Sequence, residues 1–330
     1  MTQKKKFSRN VLDIDAEKEV ERISEEIRKT LSSRLKRRGL VVALSGGIDS
    51  SVTVALAARA VGPKRVQALL MPERDSSPDT LDLSRSVAES CGVTYQHEDI
   101  TSILEAVGFY RRYDDAVRQV IPEYGDGWKS KIVIQSAMEG KGFSLFSIVA
   151  QNPDGTQLKK RLPLDAYLAI VAATNFKQRV RKMMEYFYAD CNHYAVAGTP
   201  NRLEYDQGFF VKLGDGAADV KPIAHLYKTQ VYRLAAHLGL PDDIINRPPT
   251  TDTYSLAQGQ DEFFFSLPYD QMDLCLYGKN NGVPSADVAG ELGLTEDQVE
   301  RVYADIDTKR ATTRYLHLPA QLIVEVPEIK

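Results

Sequence analysis

Apolar positions in the first third of the chain follow two alternating rhythms. Val20, Ile23, Ile27, Leu31 and Leu35 recur at steps of three and four, which predicts an amphipathic helix delivering the chain to Leu40. Leu40 to Leu44 is an unbroken apolar run of strand length, and Val52 to Val61 is rich in Ala, Val and Leu, as a helix lying on a sheet would be. Val66 to Met71 predicts a second buried strand. Ser77-Pro78 then opens a helix running to Gly92, with the serine as cap and the proline just inside. Val93 to His97 reads as a third strand. Further on come a long helix from Leu164 to about Cys191, a strand from Tyr194 to Gly198, and a helix from Leu226 to Leu238 that stops at Gly239. Alternating strands and helices predict an α/β fold: a doubly wound parallel sheet with helices on both faces and ligands at the carboxyl ends of its strands.

Residues 114–161 break the rhythm. Lys131 to Gln135 and Phe143 to Ala150 are followed by the turn signal Asn152-Pro-Asp-Gly155 and a polar Thr156 to Lys160, which predicts an inserted β-hairpin. Its role is either that of a surface or dimer-contact decoration or that of a lid over the active site. The chain is expected to be one domain over 1–330, with a mostly helical extension at 269–330.

The strand-to-helix junction carries the sequence Ser45-Gly46-Gly47-Ile48-Asp49-Ser50-Ser51. Its glycines let the backbone approach an anion, the helix start offers unpaired N–H groups with a favourable dipole, and its serines add hydroxyl donors. That combination is a pyrophosphate cradle. It lacks both the Gly-Lys-Ser/Thr ending of the Walker loop and the GxGxxG spacing of the dinucleotide fingerprint. Asp49 suits a metal ion that bridges phosphates. The motif resembles the loop of the ATP pyrophosphatases, which split ATP into AMP and pyrophosphate while activating a substrate.

Composition narrows the field. With 330 residues, 43% hydrophobic and 26% charged, and a net charge of −3, the chain is of ordinary globular type with no general affinity for nucleic acid. Lys4-Lys5-Lys6 and Arg9 precede no apolar core and no apolar run reaches membrane-spanning length, so a cytoplasmic protein without a membrane partner is expected. Cys91, Cys191 and Cys275 are far apart, which argues against a disulfide framework or a zinc cluster. The segment from Val288 to Val299 has the spacing of a helix-turn-helix. However, Thr295-Glu-Asp-Gln298 is a capping box whose acidic residues have the wrong sign for DNA phosphate.

The second half carries several further motifs in order: Ala197-Gly-Thr-Pro-Asn-Arg-Leu-Glu204, Gly208 to Asp219, Lys221-Pro-Ile and Leu226-Tyr-Lys-Thr-Gln230. Together with Met71 to Ser77 and Asn175 to Arg181, they resemble the core of the NAD synthetase family, ammonia-dependent type, over roughly Glu19 to Pro268. The resemblance implies ATP-dependent amidation of deamido-NAD to NAD through an acyl adenylate, with release of AMP and pyrophosphate. It implies that Asp49 and Glu204 hold Mg2+ and that Asp49 and Lys228 are catalytic. ATP would be bound by Ser45, Gly46, Gly47, Asp49, Ser50, Ser51, Thr199, Lys228 and Thr250. Deamido-NAD would be bound by Arg179, Phe210, Lys212, Asp215 and Asp219. Taken alone, Glu204 and Lys228 would read as solvated helix charges. Arg179 and Arg181, two apart, cannot share a helix face, so one is expected to reach substrate while the other supports a dimer or a salt bridge.

The family's chemistry fits these residue types. A carboxylate resists ammonia until its oxygen becomes a leaving group, so the site needs cations around a triphosphate and a dry pocket. Two features depart from the family: Gly259-Gln260-Asp261-Glu262 and the following Phe263-Phe264-Phe265. These aromatics would reshape the lid or pocket, which keeps a different carboxylate substrate as the alternative. The match at Thr308-Lys309-Arg310 is loose beyond Arg310. About 40 residues precede the nucleotide loop, too few for a glutaminase domain, so ammonia is expected free or from a separate glutaminase. The resemblance also implies a homodimer with substrate bound across the interface.

Overall fold

In a computed structural model that describes residues 7–134, 146–248, 250–251, 253–256, 258–259, 264–265 and 267–329, four short strands form a parallel sheet. Helix α1 (Ala16–Lys29) is capped by Asp15, whose carboxylate accepts from Lys18 N–H, and a turn of wider π-type helix over Thr30–Leu35 extends it. There follow β1 (Leu40–Ala43), α2 (Ile48–Val61), β2 (Val66–Leu70), α3 (Asp79–Ser90) and β3 (Thr94–His97). Two helices, α4 (Thr101–Ala106) and α5 (Phe109–Arg118), lead into β4 (Lys129–Ile134), β5 (Phe146–Gln151) and β6 (Gln157–Arg161). Helix α6 (Leu164–Asn192) returns the chain to the sheet as β7 (Ala195–Ala197).

Sheet order is β3-β2-β1-β7, so the chain winds outward from β1 on one side and later re-enters on the other. The reversal lies between β1 and β7, where the carboxyl ends of two strands leave a crevice. Successive residues of β1 face opposite layers, as a strand buried on both faces requires. Leu40 and Val42 join the core that also holds buried residues of α1 and α2, whereas Val41 joins the core under α4, α5 and α6.

The irregular region begins in helix, since Asp114 to Arg118 belongs to α5. Beyond it lies more than the expected hairpin: β4, β5 and β6 form a three-stranded antiparallel sheet. The polar Gln157–Arg161 is its third strand, turned back at Asn152 to Gly155. Buried Ile132, Ile148 and Ala150 seat this sheet on the α5 and α6 side. The expected strand residues Gln135 and Phe143 to Leu145 lie outside the described residues.

After β7 come α7 (Arg202–Gln207), α8 (Lys228–His237), α9 (Asp242–Ile245) and the strand pair β8 (Thr250–Thr251) and β9 (Gln258–Gly259). Three further helices, α10 (Tyr269–Asn280), α11 (Ser285–Leu292) and α12 (Glu296–His317), build a third core with Phe7, Leu12 and Leu203. The capping box at Thr295 and Gln298 starts α12. No helix among the described residues is long and apolar enough to cross a membrane.

Candidate active site

The crevice at the sheet reversal opens into a cavity of about 680 Å3. Its floor is the Ser-Gly loop between β1 and α2. Gly46 is left-handed at φ +71°, and a Cβ there would meet Leu83 Cβ at 2.8 Å, so only glycine lets the loop pass against α3. The serines brace the loop: Ser50 Oγ donates to Gly47 O at 3.0 Å, Ser51 Oγ to the same oxygen at 2.9 Å, and Ser45 N donates to Ser50 Oγ at 3.3 Å. Ser45, Gly47, Asp49 and Ser50 face the cavity, while Gly46 and Ser51 support the loop from behind. Across the crevice, Gly198, Thr199 and Pro200 follow β7 and line the facing wall.

Charge is concentrated between these walls. Lys228, fully buried at the first turn of α8, forms an ion pair with Asp49. Asn201 Nδ2 donates to the other Asp49 oxygen at 3.1 Å. Asn201 also caps α7: its Oδ1 accepts from Leu203 N–H at 2.9 Å and Glu204 N–H at 3.2 Å, and Glu204 Oε2 accepts from Asn201 N–H at 3.1 Å. Burial and the Asp49 charge push Glu204 up to about 8. Burial works against the Lys228 ammonium, but Asp49 and Glu204 outweigh it and hold Lys228 above the usual lysine value. Asp273 accepts from Lys228 N–H at 3.1 Å and Thr229 N–H at 2.7 Å and so anchors the helix start that carries the lysine.

The far end of the cavity lies between α6, α12 and the Gly208–Asp219 loop. Phe210 and Asp215 line it; Asp215 accepts from Val211 N–H at 2.7 Å, and Phe210 stands edge-on to His317 with 5.1 Å between ring centres. Lys182 donates to Glu185 at 2.7 Å in a buried pair on the α6 wall. Lys309 of α12 donates to Phe264 O at 2.5 Å and Asp305 at 2.6 Å, with its ammonium 4.6 Å from the Phe264 ring centre. Phe264 lines the cavity and stacks on Phe209, whereas Phe265 is buried in the third core. Phe263 lies outside the described residues, as does the side chain of Thr250.

Three expected substrate residues stand outside the cavity wall. Arg179 is exposed on α6 and donates to Lys212 O at 3.4 Å; Arg181 is the arginine that faces the cavity, and it donates to Met71 O at 3.2 Å. Lys212 Nζ donates to Tyr315 O at 2.7 Å and Leu318 O at 3.0 Å. Asp219 accepts from Val196 N–H at 2.8 Å and Tyr186 OH at 3.4 Å.

Sequence reasoning missed Asn201, Asp273 and a second buried pair. Lys177 on α6 donates to Glu73 at 2.7 Å and to Thr253 O at 3.2 Å, and Tyr110 OH donates to Glu73 at 2.9 Å. Asn201 had a local signal, the Asn-x-x-Glu spacing of a capping box. The others had none, because their partners are distant in the chain.

Residues 19–123 and 129–314 match the model of the NAD synthase family. An NH(3)-dependent NAD(+) synthetase of Rhizobium meliloti (strain 1021) is 60% identical over 324 residues, covering 98% of this chain and 97% of the relative. One of the same name from Mesorhizobium japonicum is 57% identical over 318 residues, covering 96% and 100%. Among solved structures, an NH3-dependent NAD synthetase from Campylobacter jejuni superposes with a TM-score of 0.61 at 21% identity, covering 94% of this chain and all of that one. An NMN synthetase from Francisella tularensis does so with a TM-score of 0.59 at 19% identity, covering 94% and 99%. At those identities the structural likeness speaks for the fold.

Proposed function

The chain belongs to the NAD synthase family, and from that premise we propose how its cavity works. It is a carbon–nitrogen ligase that amidates deamido-NAD with ammonia at the expense of ATP. The nicotinate carboxylate oxygen bonds to the α-phosphorus, the bridge to the β-phosphate breaks and pyrophosphate leaves. Ammonia then bonds to the acyl carbon, the acyl–oxygen bond breaks, AMP leaves and the nitrogen sheds a proton. A different acid as substrate is not favoured, given relatives of this name at 57–60% identity.

The observation that carries the reading is the Asp49–Lys228–Glu204–Asn201 cluster beside the Ser-Gly loop, at the reversal point of the sheet. The loop N–H groups and serine hydroxyls receive phosphate oxygens, with Thr199 contributing from the facing wall; Thr250 is kept as an ATP contact on the family resemblance alone. Lys228 lies off the cavity wall, buried behind the Asp49 carboxylate that lines it, and from there its positive charge offsets the charge that grows on the departing pyrophosphate more strongly than it would in water. Asp49 and Glu204 suit magnesium, because both line the cavity and together offer hard oxygen donors, and burial and the Asp49 charge, which a cation would offset, hold Glu204 above its usual range despite Lys228. Among the described residues no three acidic, His or Cys side chains are gathered for a metal, so the remaining ligands would be phosphate oxygens and water. Bound there, magnesium would supply Lewis-acid polarisation of the phosphates. Phe210 and Asp215 face the nucleotide of deamido-NAD, one as a stacking surface and one as an acceptor for ribose hydroxyls.

Helix α6 supports a homodimer. Its polar residues Thr174, Gln178, Arg181 and Glu185 face the cavity, whereas Leu168, Met183 and Phe187 face solvent and Ala172 is exposed beside them. A helix with its apolar stripe outward needs a partner. Ammonia arrives free or from a separate glutaminase, and we place the enzyme in the cytoplasm. The direct test incubates the protein with ATP, magnesium, ammonium and deamido-NAD while NAD, AMP and pyrophosphate are measured together. Equal amounts of all three are expected, and AMP without NAD would overturn the reading.

A further inference from the structure

Beyond α12 the chain runs without regular structure along the surface, and its apolar residues are left in water. Ile323 is 98% exposed, Val324 77% and Leu322 65%, with Val326 and Ile329 also exposed. A run of consecutive exposed branched side chains costs hydration free energy that burial recovers. The start of this tail is fixed, because Lys212 Nζ holds the carbonyls of Tyr315 and Leu318, and Lys212 O in turn accepts from Arg179. Arg179 stands in the outward stripe of α6 between Ala172 and Met183. The tail therefore leaves its own chain beside the apolar face that calls for a second copy.

We propose that the tail from Pro319 to Ile329 crosses to the partner protomer and lies along that protomer's outward α6 stripe, strapping the dimer. The inference rests on the homodimer reading and deepens it. Lengths agree: an extended segment of this size spans about 35 Å, and α6 from Leu164 to Phe187 also spans about 35 Å. Chemistry agrees as well. Leu322, Ile323, Val324 and Val326 match Leu168, Ala172, Met183 and Phe187, and Glu325 and Glu328 on the tail are complementary to Arg179, the charge within the stripe from Leu168 to Phe187.

The test joins sedimentation with cross-linking. Sedimentation equilibrium is run on the full chain and on a chain truncated after Leu318. Truncation is expected to raise the dimer dissociation constant about tenfold or more, and an unchanged constant overturns the strap. A full chain that stays monomeric at micromolar concentration instead overturns the homodimer reading, and the strap with it. A photoreactive benzophenone residue is placed at Ile323, and light and heavy isotope-labelled copies are mixed. Peptides joining a light tail to a heavy α6 segment within 164–187 support the strap. Tail-to-α6 peptides confined to one label, or cross-links that land elsewhere, overturn it.

Discussion

Replacing Glu73 with glutamine probes the pair that ties three segments together behind the cavity. Both side chains are almost fully buried, Lys177 at 3% and Glu73 at 0% exposure, with 2.7 Å between charged atoms. The pair joins α6 to the loop after β2 through Glu73, and to the segment after β8 through Thr253 O. The Glu73→Gln variant leaves an ammonium buried opposite an amide, and breaking one side of a buried pair costs about 3–5 kcal/mol. Removing the second charge as well, in Glu73→Gln with Lys177→Met, should recover most of that, because no unpaired ion remains. Acid sensitivity gives an independent readout. Burial raises Glu73, but the Lys177 charge and the hydrogen bonds from Lys177, Asp75 N–H and Tyr110 outweigh it and hold the carboxyl below its usual value near 4.5. A depressed folded-state value means that the stabilisation is fully present above pH 4.5 and fades as pH falls through the lower value. Urea unfolding followed by the single tryptophan, Trp128, at pH 7 and at successively lower pH measures both effects. The parent should lose this increment on acidification, whereas the single variant has none to lose. A single variant within about 1 kcal/mol of the parent at pH 7 would refute the reasoning, since that is the worth of an exposed pair.

Other substitutions separate the parts of the site. Asp49→Ala removes the carboxylate that pairs with Lys228 and accepts from Asn201, and turnover measured by pyrophosphate release should fall by about 10³ or more; unchanged kinetics would sink the assignment. Gly46→Ala forces a Cβ to 2.8 Å from Leu83 in a left-handed conformation, so the KM for ATP should rise about tenfold while the KM for deamido-NAD moves less. Equal ATP affinity would show that the loop tolerates the shift. Asp219→Ala should weaken deamido-NAD more than ATP, because it frees Tyr186 on α6 and the N–H of Val196; a selective loss of ATP affinity would reverse that assignment.

What the sequence revealed and what it hid follow from the range of the interactions. The sheet and its helices were legible because burial on both faces imposes continuous apolar runs at β1 and β2, and the motif at Ser45 to Ser51 names its own strand-to-helix setting. Gln157 to Arg161 carries mostly polar side chains, and its place in the sheet is set by register against β5, an interaction that no local pattern encodes. The same distinction runs through the site. Asp49 stands out within seven residues of sequence, but its partner Lys228 lies 179 residues away, and as an isolated lysine it resembles any surface charge until the fold buries it. Helix α6 concentrates the difficulty. Its polar inner face and apolar outer face average to a weak amphipathic signal, and only the cavity on one side shows that the polar face points inward. That inversion places Lys177, Lys182 and Glu185 against the cavity and leaves Leu168, Met183 and Phe187 outside. The helix that lines the cavity therefore also carries the exposed apolar face on which the proposed homodimer rests, so in that proposal one rigid element couples the site to the second copy.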